Sequence, residues 1–236
     1  MSAMHIGGFQ KTSLIDFPGT VACVIFTVGC NFLCPFCHNP GLAAGPVTGA
    51  GSHDITDIFS FLASRKGLVD GVVITGGEPC LQPDLADVIA RIKQMGFAVK
   101  LDTNGSRPDV LAHLLELSLV DYVAMDIKTG AGRYPELMKP GLRPDTLLKS
   151  ADLVMEKAPD YEFRTTCVRP FIDAGILAQI GRQITGARRY VLQNCVRHVP
   201  MLDPDFSKDL CRFFSDRDIQ ALKHVADGAV QEVQVR

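Results

Sequence analysis

A chain of 236 residues with 24 Lys and Arg against 26 Asp and Glu has a formal charge of −2. That is too close to balance for charge alone to drive it onto nucleic acid or anionic lipid. Hydrophobic residues make up 47% of the chain, enough for one sizeable core, yet the longest apolar run, residues 21–28, is far too short to cross a bilayer. Lys11 and Asp16 near the start do not fit a signal peptide, so the sequence reads as a cytoplasmic protein with no nucleic-acid or membrane partner.

In chain order, segment 1–20 comes first. Its stretch 8–19 mixes Lys11, Asp16 and two aromatics with turn formers and has no evident core role. Apolar, β-branched runs then predict strands at 21–28, 71–75, 97–102, 122–127, 161–167, 189–195 and 230–235. Amphipathic stretches predict helices at 54–65, 82–95, 107–117, 144–157, 173–184 and 216–225, with Met95-Gly96 in the form of a helix C-cap. The Gly-, Ala- and Pro-rich stretch 41–52 reads as a flexible loop. Regular strand–helix alternation makes this an α/β fold with a parallel sheet whose outer face the helices cover. Periodicity leaves a barrel and an open doubly wound sheet both possible. With no internal linker, residues 1–236 read as a single domain: a core over 21–205, then a helix and possible extra strand within 206–236.

Three of the eight cysteines fall within eight positions, as C-x3-C-x2-C at Cys30, Cys34 and Cys37, just after the first predicted strand. Crowded thiols in a reducing compartment bind metal. Three of them suit a cubane in which one iron lacks a protein ligand and stays open to substrate. A zinc site with His38 as fourth ligand is the alternative, and it is strained because adjacent residues seldom converge on one tetrahedral ion. Cys80, Cys167 and Cys195 each fall just past a strand and could serve a second cluster or a redox relay, or be small buried hydrophobes.

Ligands on parallel α/β sheets bind at the carboxyl ends of the strands. There the sequence places Thr75-Gly76-Gly77-Glu78-Pro79, whose glycines permit close backbone approach and whose proline extends Glu78, aiming its carboxylate inward. Asp102-Thr103-Asn104-Gly105 ends the third strand, where Asp102 and Thr103 could meet ribose hydroxyls or a cation and Asn104-Gly105 forms a turn. Asp126 and Lys128, two apart, point to one face of the fourth strand and hence into the mouth. Arg164 is a further candidate partner for a carboxylate, and Gln193 for a polar contact at a strand end.

With Phe36 the cysteine motif becomes C-x3-C-x-aromatic-C and resembles the signature of the radical S-adenosylmethionine (SAM) superfamily. Residues 8–19 and Cys37-His38-Asn39-Pro40 further resemble the activating proteins of anaerobic ribonucleoside-triphosphate reductase, among the glycyl-radical-enzyme activases. The likeness runs over about residues 6–205. It implies a partial, open parallel β/α barrel of about six strands and a [4Fe–4S] cluster on Cys30, Cys34 and Cys37. The SAM amino group would meet the Gly76-Gly77-Glu78 element, and its carboxylate Lys128. The ribose or cation region would fall to Asp102, Thr103, Asn104 and Asp126, with Phe36, Arg164 and Gln193 completing the site. The implied chemistry is reductive cleavage of SAM to a 5′-deoxyadenosyl radical that installs a glycyl radical on a partner enzyme. A flavodoxin or ferredoxin would supply the electron, and no protein acid or base is needed. Segments 8–19 and 41–52 are expected to border the partner's entrance. A radical SAM enzyme acting on a nucleobase or pterin-like precursor is the alternative within the superfamily, and an Fe–S or zinc module the one outside it.

Overall fold

The computed structural model describes residues 4–45 and 53–236. The chain opens with β1 (Ile6–Ser13) and β2 (Ala22–Thr27), followed by a single helical turn, α1 (Pro40–Ala43), and α2 (Ile55–Ser64). Strands and helices then alternate: β3 (Gly71–Gly76), α3 (Leu85–Gln94), β4 (Ala98–Thr103), α4 (Pro108–Glu116), β5 (Tyr122–Asp126) and α5 (Asp145–Lys157). The chain finishes with β6 (Asp160–Cys167), α6 (Ala174–Gln183), β7 (Tyr190–Asn194), α7 (Asp216–Ala226) and β8 (Val233–Val235). All eight strands form one sheet in sequence order. From β2 to β8 each neighbouring pair is parallel, β1 runs antiparallel to β2, and the two edge strands do not pair with each other. The barrel is therefore open, with six central parallel strands, as expected, and one more at each edge.

Helix caps and stripes explain the outer layer. Asp54 and Asp173 accept hydrogen bonds from backbone amides at the starts of α2 and α6, and Ser215 with Asp218 forms a capping box on α7. Gly96, at φ +94°, ends α3 in the left-handed conformation that the Met95-Gly96 pair foreshadowed. Leu85, Val88, Ile89 and Ile92 line one side of α3 at helical spacing. They join outward-facing strand residues such as Ile74, Val99 and Leu101 in the main core.

Alternate residues face the barrel interior. At the amino ends of the strands Ala22, Val24, Val73, Tyr122 and Ala124 form a second, small core around Phe17. Phe17 lies 5.9 Å from the Tyr122 ring and closes that end. This corrects the expectation for residues 8–19. Ile6 pairs with Thr27 and Ser13 with Ala22, so β1 carries the chain away from the cysteine loop to the opposite end of the barrel. Lys11 lies over the Phe61 ring and Asp16 accepts a hydrogen bond from Ser13 Oγ. Neither borders the mouth, and Phe17 belongs to the core. Of the loop expected over 41–52, residues 41–43 belong to α1 and 46–52 lie outside the described residues.

Truncating Phe17 to Ala should cost about 3–5 kcal/mol, the usual penalty for emptying an aromatic core site. Equilibrium denaturation measures this, and a loss below about 1 kcal/mol would show that the ring does not plug the barrel.

Candidate functional site

At the carboxyl ends of the parallel strands lies a cavity of about 250 Å³. The cysteine loop forms one wall. Gly29, at φ +93°, turns the chain out of β2, and Cys30, Cys34 and Cys37 then border the cavity together with Phe36. Phe36 is buried against Phe171 and Phe206, at ring distances of 5.4 and 5.9 Å, which anchors the loop. All three thiols are free. Burial pushes Cys34 up to about 12 against the pull of Lys128, and raises Cys30 as well. A metal group binding here would displace protons from these thiols.

The glycine pair joins two loops. A Cβ on Gly77 would strike the carbonyl oxygen of Gly29, and one on Gly76, at φ +114°, the backbone of Thr27. Gly77 N donates to Thr27 O at 2.9 Å and Glu78 N to Gly29 O at 2.8 Å. Both glycines line the cavity. Glu78 departs from expectation: its carboxylate faces away from the cavity and is fully buried. Oε1 accepts from Cys80 N at 3.0 Å and Thr103 Oγ1 at 2.8 Å, and Oε2 accepts from Asn104 N at 2.6 Å. Burial raises its pKa while these donors pull it back. The physical reason is that the β4 loop presents donors which satisfy a buried carboxylate better than an open cavity could.

The opposite wall is charged. Asp102 pairs with Lys100, and Arg164 bridges Asp102 (NH1–Oδ2 3.0 Å) and Asp126 (Nε–Oδ1 2.8 Å). Lys128 Nζ reaches the other Asp126 oxygen at 2.9 Å. Burial alone would raise both aspartates, but Arg164, with Lys100 at Asp102 and Lys128 at Asp126, outweighs it and holds them below the usual carboxylate range. Burial would also lower Lys128, and Asp126 reverses this. Asp102, Asp126, Lys128 and Arg164 line the cavity, two anions beside two cations, while Lys100 is buried behind Asp102. Lys100 was missed, although its position two residues before Asp102 on one strand puts both on the same face.

Thr103, Asn104 and Gln193 complete the lining, so every predicted site residue except Glu78 meets at one cavity. Cys80, Cys167 and Cys195 are buried. Cys195 Sγ lies 3.4 Å from His38 Nε2, which turns His38 to another thiol. Among the described residues no three His, Cys, Asp or Glu side chains are gathered tightly enough to hold a single ion. Cys30, Cys34 and Cys37 all border the one cavity.

An open parallel barrel with three thiols at its mouth defines a class, and the match to known families agrees. The chain belongs to the radical SAM superfamily, whose description fits residues 24–172, more than half of its length. A protein of Methanocaldococcus jannaschii, provisionally named a glycyl-radical enzyme activating enzyme, is 36% identical over 195 residues, 80% of this chain and 78% of that protein. A probable GTP 3′,8-cyclase of Saccharolobus solfataricus is 34% identical over 105 residues, 44% of this chain and 33% of the cyclase. Streptococcus suis SuiB bound to S-adenosylmethionine shares the fold, with a TM-score of 0.68 and 19% identity over 90% of this chain. This chain spans about half (49%) of the SuiB chain.

Because Asp102 and Asp126 are held below their unfolded pKa, the stability they confer is present above about pH 4 and is lost as pH falls through the folded values. Arg164→Gln leaves both carboxylates short of a partner and should cost about 3–5 kcal/mol at pH 7. That deficit should shrink by pH 4.5, where the orphaned carboxylates can protonate. Urea titrations at the two pH values measure it, and an equal deficit at both would show that Arg164 is not what keeps them ionised.

Proposed function

We propose that the protein is a glycyl-radical enzyme activase, binding SAM at a [4Fe–4S] cluster on Cys30, Cys34 and Cys37. The observation that carries this is the meeting, at one cavity, of three thiols with two side-chain cations, Lys128 and Arg164. Three cysteine ligands suit a cubane cluster with one iron left open to substrate. When bound, the cluster supplies the electron that splits SAM into methionine and a 5′-deoxyadenosyl radical.

The chain's own residues bind and orient. Lys128 and Arg164, the cations nearest the cavity, attract the SAM carboxylate. The backbone of Gly76-Gly77 receives the ammonium, a role Glu78 supports from behind. Asp102, Thr103 and Asp126 face the ribose, while Phe36, Asn104 and Gln193 bound the remaining walls and exclude water. The aspartates stay ionised among cations, so no side chain here is poised to move a proton.

Two observations support a protein substrate. The likeness to the provisionally named activase extends over most of both chains, whereas that to the cyclase is confined to a third of the cyclase. The sheet is also open between β1 and β8, leaving a side through which a partner's loop could reach the cavity. An anaerobic ribonucleotide reductase or related glycyl-radical enzyme is the proposed partner, and a flavodoxin or ferredoxin the donor. Among the described residues no helix is long and apolar enough to cross a membrane.

Lys128→Ala should weaken SAM binding by roughly 10- to 150-fold, the loss of one charge-assisted contact worth about 1.5–3 kcal/mol, with bound iron unchanged. Calorimetry on the reconstituted protein tests this, and an unaltered Kd removes Lys128 from the site. Mixed with SAM, reductant and an anaerobic ribonucleotide reductase, the protein should generate a glycyl-radical EPR doublet on the partner. Turnover of a nucleotide with no radical on any protein would favour the small-molecule alternative.

A further inference from the structure

Asn104 is 6% exposed and ends the β4 loop directly beneath the cysteine loop. Its side-chain orientation is determined by a neighbour that has only one option. Ser106 N lies 2.9 Å from Asn104 Oδ1, and a backbone N–H can only donate. The oxygen end of the amide is therefore committed to Ser106, and Nδ2 must face the other way. There it reaches Asn31 Oδ1 at 2.9 Å and Cys30 Sγ at 3.9 Å. Asn31 is itself held, donating from Nδ2 to Ser106 Oγ at 2.8 Å. Phe32 N approaches the same sulfur at 3.4 Å. The backbone of Asn104 is pinned from below by the buried Glu78 carboxylate, at 2.6 Å. Gly105, at φ +74°, completes the turn.

We infer that Asn104 is a positioning residue whose amide donates to the Cys30 sulfur and raises the reduction potential of the cluster, with Glu78 as the anchor that aims it. This rests on the proposal that Cys30 ligates an iron. Reduction adds negative charge that spreads onto the sulfurs, so a donor aimed at a ligand sulfur stabilises the reduced state more than the oxidised one. Glu78, the predicted site residue that does not touch the cavity, thereby acquires a function consistent with its burial.

Two substitutions separate the donor from the turn. Asn104→Ser keeps a short side-chain oxygen for Ser106 N but cannot reach Cys30. Asn104→Asp keeps the acceptor geometry, deletes the donor and adds negative charge. Both proteins are reconstituted anaerobically beside the wild type, assayed for iron, and titrated by EPR-monitored redox potentiometry without SAM. The midpoint should shift to more negative potential in the serine variant and further in the aspartate variant, with iron content equal to wild type. A serine variant that holds its iron at an unshifted midpoint overturns the inference. So does loss of the cluster from both variants while the wild type keeps it, since Asn104 would then merely support the loop. A wild type that takes up no iron instead overturns the cluster proposal on which the inference stands.

Discussion

Lys100 and Asp102 on β4, Asp126 at the end of β5, Lys128 just beyond it and Arg164 on β6 form one run of ion pairs in the barrel, and none of them could be there alone. Lys100 is only 2% exposed and Arg164 and Asp102 13% each, and an unpaired charge at such depth costs several kcal/mol. The chain meets this by alternation: lysine, aspartate, arginine, aspartate, lysine, each cation touching the next anion. Of the five, Asp102, Asp126, Lys128 and Arg164 line the cavity and Lys100 lies buried behind Asp102. Lys128 and Arg164 are the cations this layer presents at the cavity. The apolar inner core around Phe17 complements it at the other end of the barrel.

The opposing wall depends on a second constraint, the close approach of two backbones. Gly77 packs where any side chain would collide with Gly29, and the hydrogen bonds from Gly77 and Glu78 tie the β3 loop to the start of the cysteine loop. Glu78 then reaches sideways to the β4 loop. Three loops from three strands are thereby joined into one rim that carries the thiols. Pre-organisation of this kind lowers the entropy lost when a ligand is bound.

Much of this was legible in the sequence. The parallel strands stood out because buried strands are continuously apolar, and the strand-end motifs because polar residues following such runs have nowhere to go but the mouth. β1 was hidden because an edge strand needs no apolar pattern; Gln10, Lys11 and Thr12 are exposed. Phe17 was misplaced for the same reason, since only the antiparallel register shows that its loop folds under the barrel. Lys100 escaped notice because a buried lysine is rare until its partners are known. Glu78 pointed the wrong way because its neighbours in space, Thr103 and Asn104, lie about 25 residues on in the sequence. Local pattern reports which residues are unusual, whereas orientation is decided by partners that only the tertiary fold brings near.

The central claim is that the thiols and the charged wall beside them together hold a cluster and SAM. Its most direct test is anaerobic reconstitution with iron and sulfide, followed by SAM and dithionite, scored for 5′-deoxyadenosine. The account predicts that the protein binds about four irons and releases 5′-deoxyadenosine, and that Cys34→Ala loses both. Uptake of a single tetrahedral zinc and no iron, or a full cluster that never yields 5′-deoxyadenosine, would contradict it.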